Sequence, residues 1–178
     1  MSDDVKISGK IDSVEVFLAH ALTLENEAAA GYQEIGEAMS VHNNPEVSEL
    51  FARFGRYGRK HAEEVEALAE GMTLPHIAPW DFVWENGESP EAPSMDKVHY
   101  LMTPLQALKL AIRAERQAHD FYASVAAASE NARVRELAVE FAAEEAEHVQ
   151  ILAEWIKKYP DADREDWDFD PDPPGMPE

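Results

Sequence analysis

The chain contains no cysteine. Disulfides, thiolate metal sites, iron–sulfur clusters and thiol catalysis are thereby excluded, and any bound metal must be held by oxygen and nitrogen. Basic residues are scarce as well: 15 Lys and Arg stand against 36 Asp and Glu, a formal charge of -21. Such a field repels nucleic-acid phosphates and anionic membrane surfaces, so neither is an expected partner. Long apolar runs are also missing. No stretch approaches the roughly 18 residues needed to span a bilayer, and the opening MSDDVKISGK lacks the basic start and apolar run of a secretory signal. A cytoplasmic location is the expectation.

What the sequence does have is helical periodicity. A length of 178 residues accommodates one domain with a sizeable core. Apolar side chains at Val14, Phe17, Leu18, Ala21, Leu22, Ala28, Tyr32, Ile35 and Met39 predict a first helix over 11–41. Pro45, tolerated in a first turn, opens a second that continues through Val47, Leu50, Phe51, Phe54, Val65 and Leu68. Thr103-Pro104 reads as an N-cap with proline at the first helical position, starting a third helix, and a fourth runs from Val134 to near Tyr159. Between the second and third the period is lost and Pro75, Pro79, Pro90 and Pro93 intervene. A connection of that length suits a bundle whose chain returns along its own axis, and Trp80 and Trp84 are expected to pin it to the helices. The expected layout is all-α: a flexible N-terminus over 1–10, a four-helix bundle over 11–159, and an acidic, Pro-rich tail over 160–178.

The helical pairs repeat one pattern. Glu25, Ala28 and Tyr32 recur 90 residues later as Glu115, Ala118 and Tyr122; Val47, Leu50, Phe54 and His61 recur 87 residues later as Val134, Leu137, Phe141 and His148. A duplicated helical hairpin predicts approximate twofold symmetry, with equivalent side chains meeting at the centre.

Several of those side chains are polar where apolar ones belong. Glu25 lies in the seam Ala21, Ala28, Tyr32, Ile35, and Glu115 has the same place between Ile112 and Ala118. His61 interrupts Phe54 and Val65, and Glu145 with His148 interrupts Phe141 and Leu152. Glu145 and His148, three apart, share one helical face. A lone Glu-x-x-His arises by chance in acidic helices; its weight here comes from four helices bringing such groups to one level. Unpaired carboxylates in a low-dielectric core are costly, and three carboxylates with two imidazoles and no evident Lys or Arg partner call for a cation. Tyr32 and Tyr122, two turns from their acids, are better placed to hydrogen-bond a ligand of a neighbouring helix than to bind an ion. His20, His42, His76, His99 and His119 have no such support and are expected not to be ligands.

These residues resemble the rubrerythrins and other ferritin-like di-iron carboxylate proteins, in which two helices each give a Glu and two each give Glu-x-x-His. The matching positions are Glu25, Glu115, and Glu145 with His148. The resemblance implies a ferritin-like antiparallel bundle with a long crossover between its second and third helices. It further implies one ion near Glu25 and His61, another near Glu115 and His148, and Glu145 between them. Iron is the implied metal, as two ions or one, with manganese or zinc as alternatives. The pattern breaks at Gly58, which stands where the family has the second Glu-x-x-His glutamate. The vacated space could take water, a substrate, or a carboxylate such as Glu64 swung inward. The cysteine-bound rubredoxin-type domain of many rubrerythrins is absent, so a redox role needs an external electron donor. The implied function is a peroxide- or dioxygen-reactive oxidoreductase, commonly a homodimer. The alternatives are a ferroxidase or iron-storage protein without peroxide turnover, and a degenerate scaffold that binds a partner.

Overall fold

A computed structural model of the chain describes residues 10–84 and 87–159; the expected acidic tail and the first nine residues lie outside them. Four α-helices make up the fold: α1 Val14–Val41, α2 Pro45–Leu68, α3 Pro104–Ala128 and α4 Ala132–Ile156. No strand occurs among the described residues, and no helix there is long and apolar enough to cross a membrane. The all-α four-helix bundle expected from the periodicity is what forms.

The helix ends follow from their capping residues. Ser13 accepts a hydrogen bond from the Val16 N–H at the start of α1, relieving one of the orphan donors of a first turn. The turn into α2 passes through Asn43 in the left-handed region, φ 62°, which asparagine tolerates better than most residues. Thr103 and Gln106 form a reciprocal capping box ahead of Pro104. Asn131 caps α4 by accepting from the N–H groups of Arg133 and Val134. Two ties hold the hairpins together. Asn44 Nδ2 donates to the Met102 carbonyl at 2.8 Å, and the Asp12 carboxylate accepts from Ser129 Oγ at 3.0 Å and from the Glu130 N–H at 2.6 Å.

α1 packs chiefly on α2, and α3 on α4. The interior divides into two apolar clusters. One gathers Phe17, Leu18, Leu24, Val65, Tyr122, Leu137 and Phe141, and the other Tyr32, Ile35, Phe51, Phe54, Leu108 and Leu152. α2 and α3 therefore run the same way, each from the second cluster to the first, and the crossover over 69–103 has to travel the length of the bundle. The sequence repeat survives in the packing: Tyr32 meets Phe54 with ring centroids 5.5 Å apart, and their counterparts Tyr122 and Phe141 meet at 5.3 Å.

The crossover departs from expectation in one respect. Trp84 stacks on Phe82 and packs edge-on against His20 and Phe121, but Trp80 is 82% exposed and pins nothing. The short 3-10 turn at Pro79–Asp81 carries Trp80 outward. His20, fully buried, supplies the anchor in its place. Its Nδ1 donates to the Val16 carbonyl at 2.8 Å and its Nε2 accepts from the Val83 N–H at 3.1 Å. Both ring nitrogens are thus used, and burial holds the imidazole below its usual pKa.

Candidate metal centre

The polar layer lies between the two apolar clusters. α1 enters it at Glu25, α3 at Glu115, α4 at Glu145 and His148, and α2 at His61, so that the five residues read as ligands from the sequence come together. His61 Nδ1 is 3.5 Å from Glu25 Oε2. His148 Nδ1 is 3.1 Å from Glu115 Oε2 and 3.1 Å from Glu145 Oε2. The two imidazoles stack, with centroids 4.7 Å apart and planes 6° from parallel. Each helical pair thus contributes an acid facing a histidine, as the repeat requires, with Glu145 in addition.

A residue that the sequence did not single out completes the layer. Glu91, from the crossover, is 3% exposed, and Glu25, Glu91 and Glu145 each offer an oxygen within 4.8 Å of the others'. A second group with the same mutual reach is Glu115, Glu145 and His148. Glu145 belongs to both. Only a loop's tertiary packing decides whether an acid on it is buried, so periodicity carried no signal for Glu91.

The electrostatics are those of a site short of positive charge. Burial pushes Glu25 above the usual carboxylate range, with His61 offsetting it only in part. Burial together with the charges of Glu25, Glu145 and Glu115 raises Glu91 well above that range. Glu145 is raised by burial to about 9. Glu115 is also penalised by burial, but hydrogen bonds from His148 and from the protonated Glu145 outweigh this and leave it lowered. Burial opposes charge on His148, and its two carboxylate partners overcome this and lift it to about 10. Among the described residues the ion pairs of these acids run to histidine, not to Lys or Arg. Glu91 Oε2 is buried with no hydrogen-bond partner, and Glu25 Oε2 has only the long 3.5 Å contact with His61. Orphaned carboxylate oxygens beside two imidazole nitrogens, in a pocket without thiols, form a donor set suited to iron or manganese.

Tyr32 and Tyr122 are fully buried beside the layer, one in each apolar cluster. Neither hydroxyl has a partner, so the expected hydrogen bond to a ligand of a neighbouring helix is not formed. Gly58 lies at the layer but serves a further purpose. A β-carbon there would sit 3.2 Å from Ala29 N and Cβ, so the glycine allows α1 and α2 to approach closely. Glu64 does not swing inward; it pairs with Lys60 at 3.5 Å on the outer surface. Of the five histidines expected not to be ligands, His20 is the one that the structure buries, and it bonds the crossover rather than the polar layer.

A cavity of about 270 Å³ reaches the layer from the side, lined by Phe54, Tyr57, Gly58 and His61 of α2 and by His148, Ile151, Leu152 and Trp155 of α4. Glu91 and Glu115 also line it, together with the imidazoles. The cavity thus reaches the acids along the flank of the second apolar cluster, beside Phe54 and Leu152.

Known proteins agree with this architecture. A family model described as rubrerythrin matches residues 106–170. Among solved structures, an uncharacterized conserved protein from Magnetospirillum magnetotacticum MS-1 is 38% identical, with a TM-score of 0.64. The match covers 83% of this chain and 96% of that one. No curated protein matches. With its duplicated hairpin, its acid and imidazole layer and these likenesses, the chain belongs to the rubrerythrin-like, ferritin-fold proteins.

Proposed function

We propose that this protein is a non-haem iron oxidoreductase acting on peroxide or dioxygen at the polar layer of the bundle. The observation that carries the reading is the coincidence of Glu25, Glu115, Glu145, His61 and His148 at one depth, with buried oxygens of Glu25 and the neighbouring Glu91 left without a hydrogen bond. Glu25 with His61, and Glu115 with His148, form the two ends of the site, and Glu145 lies within reach of both. Iron held there would supply electrons to the oxidant by passing between its ferrous and ferric states.

The chain's own residues hold the protons. Glu145 and His148 keep theirs near neutrality, and both must give them up before their lone pairs can bind a cation. The lateral cavity admits a small oxidant, while Phe54, Ile151, Leu152 and Trp155 limit bulk water. Reducing equivalents come from a separate donor. A homodimer is the assembly we propose on the family likeness.

The test is to reconstitute the protein anaerobically with Fe(II) and add hydrogen peroxide. The expected result is oxidation of the bound iron and, with a reductant present, many turnovers per chain. Iron uptake with oxygen consumption but no repeated peroxide turnover would favour a ferroxidase. Protein that takes up no metal would overturn the proposal.

A further inference from the structure

Acids in connecting loops normally face water, because a dry interior offers nothing in exchange for lost hydration. Glu91 is a buried exception, with an unpartnered Oε2 among acids of its own sign. The crossover is shaped to put it there. Pro90 and Pro93 stiffen the chain on either side, and the Ala92 N–H donates to the Ser89 carbonyl at 3.2 Å, closing a turn around Glu91. Pro93 then presses on α1 at Gly31, where a β-carbon would come 2.8 Å from the proline Cδ and 2.9 Å from its Cγ. Contacts that short are not tolerated, so the missing side chain at 31 is what lets the segment reach the bundle.

The same region explains why a loop supplies the acid. A side chain at position 58 would start 3.2 Å from the Ala29 backbone nitrogen. Any side chain there would have to push α1 and α2 apart, so a carboxylate from α2 comes only at the cost of their close approach. Glu64, about one turn beyond His61, points outward to Lys60.

On the metal-binding reading above, we propose that Glu91 is a metal ligand delivered by the crossover in place of the carboxylate that α2 lacks, and that metal binding clamps residues 89–93 onto the bundle. The group Glu25, Glu91 and Glu145 then equals the group Glu115, Glu145 and His148 in having three donors. Loss of metal loosens the segment, since its buried acid then loses the cation that compensates its charge.

The test combines anaerobic Fe(II) binding by equilibrium dialysis with hydrogen exchange over residues 88–95, on wild type and on Glu91→Gln, Gly31→Val and Glu25→Gln. Wild type should take up metal and its segment amides should become at least about tenfold better protected, as expected when a local opening is suppressed. Glu91→Gln should fold, shown by an unchanged helical signal, but lose at least about tenfold in affinity for one ion. Its segment should no longer respond to metal. Gly31→Val, which alters no ligand, should weaken the same ion by displacing Pro93. If Glu25→Gln loses metal while Glu91→Gln binds like wild type with a metal-responsive segment, the role of Glu91 is overturned and the metal centre stands. If wild type binds no metal, both readings fall.

Discussion

His61 and His148 lie face to face, with ring centroids 4.7 Å apart and planes within 6° of parallel. They are counterparts in the sequence repeat, and each turns its Nδ1 toward the acid of its own helical pair. Two imidazoles held in register by a duplicated backbone present the same atom to two adjacent positions. His148→Ala should therefore affect the Glu115 end more than the Glu25 end. Titration with Fe(II) should show one ion weakened by more than about tenfold and the other much less; equal loss of both would contradict the twofold arrangement.

The metal-free protein should lose stability as pH rises. Glu145 and His148 release their protons near 4.5 and 6.5 when unfolded but near 9 and 10 when folded. Both folded-state values are raised, so each group's contribution is complete below its unfolded value and is lost as pH climbs through its folded one. Glu115, whose value is lowered, gives up its contribution only in acid. Thermal unfolding of metal-free protein from about pH 6 to about pH 10 should show a falling Tm, and a rising Tm over that range would refute this. Metal affinity should run the other way, with protons released on binding, detectable with an indicator dye in weak buffer.

Charge buried without a partner weakens the fold that holds it. Replacing Glu25 by leucine removes an acid with an orphaned oxygen from between apolar neighbours. Metal-free Glu25→Leu should be more stable than wild type by about 1–2 kcal/mol in chemical denaturation, while its metal binding is lost. A less stable metal-free variant would mean that Glu25 already has its charge satisfied by His61 alone.

Gly58 should resist replacement. Alanine would recover about 1 kcal/mol of helix propensity, yet its β-carbon would meet Ala29 at 3.2 Å, and overpacking of this kind costs about 1–3 kcal/mol. The net effect of Gly58→Ala should be destabilising, and Ala29→Gly should relieve it. A double-mutant cycle with no coupling between the two positions would show that the helices have room to part.

His20 holds the crossover by a single acceptor, its Nε2, for the Val83 N–H. His20→Phe preserves the aromatic packing against Trp84 and Phe121 but orphans that N–H, which should cost about 1–3 kcal/mol. Faster amide exchange at Val83, with metal affinity unchanged, is the expected signature.

The helices and the level of the polar layer were legible because both depend on local spacing. A period near 3.6 placed Glu25 and Glu115 among apolar neighbours, and the repeat tied His61 to His148. Two kinds of information were not local. Trp80 and Trp84 belong to the same irregular connection and have the same chemistry, but a short 3-10 turn exposes one and leaves the other stacked on Phe82. Glu91 is buried in a segment that meets α1 where Pro93 sits against Gly31, a contact between distant parts of the chain that no periodicity records. Gly58 was read as a vacancy in a motif, and the structure gives it a second meaning as the point where two backbones nearly touch.

The two apolar clusters on either side of the acids act as stoppers at the ends of a tube. The lateral cavity, with Tyr57 and Ile151 in its lining, is then the approach to the acids that avoids the axis. On the proposed function, enlarging or narrowing these two side chains would change which small molecules reach the layer while leaving the acids and imidazoles themselves untouched.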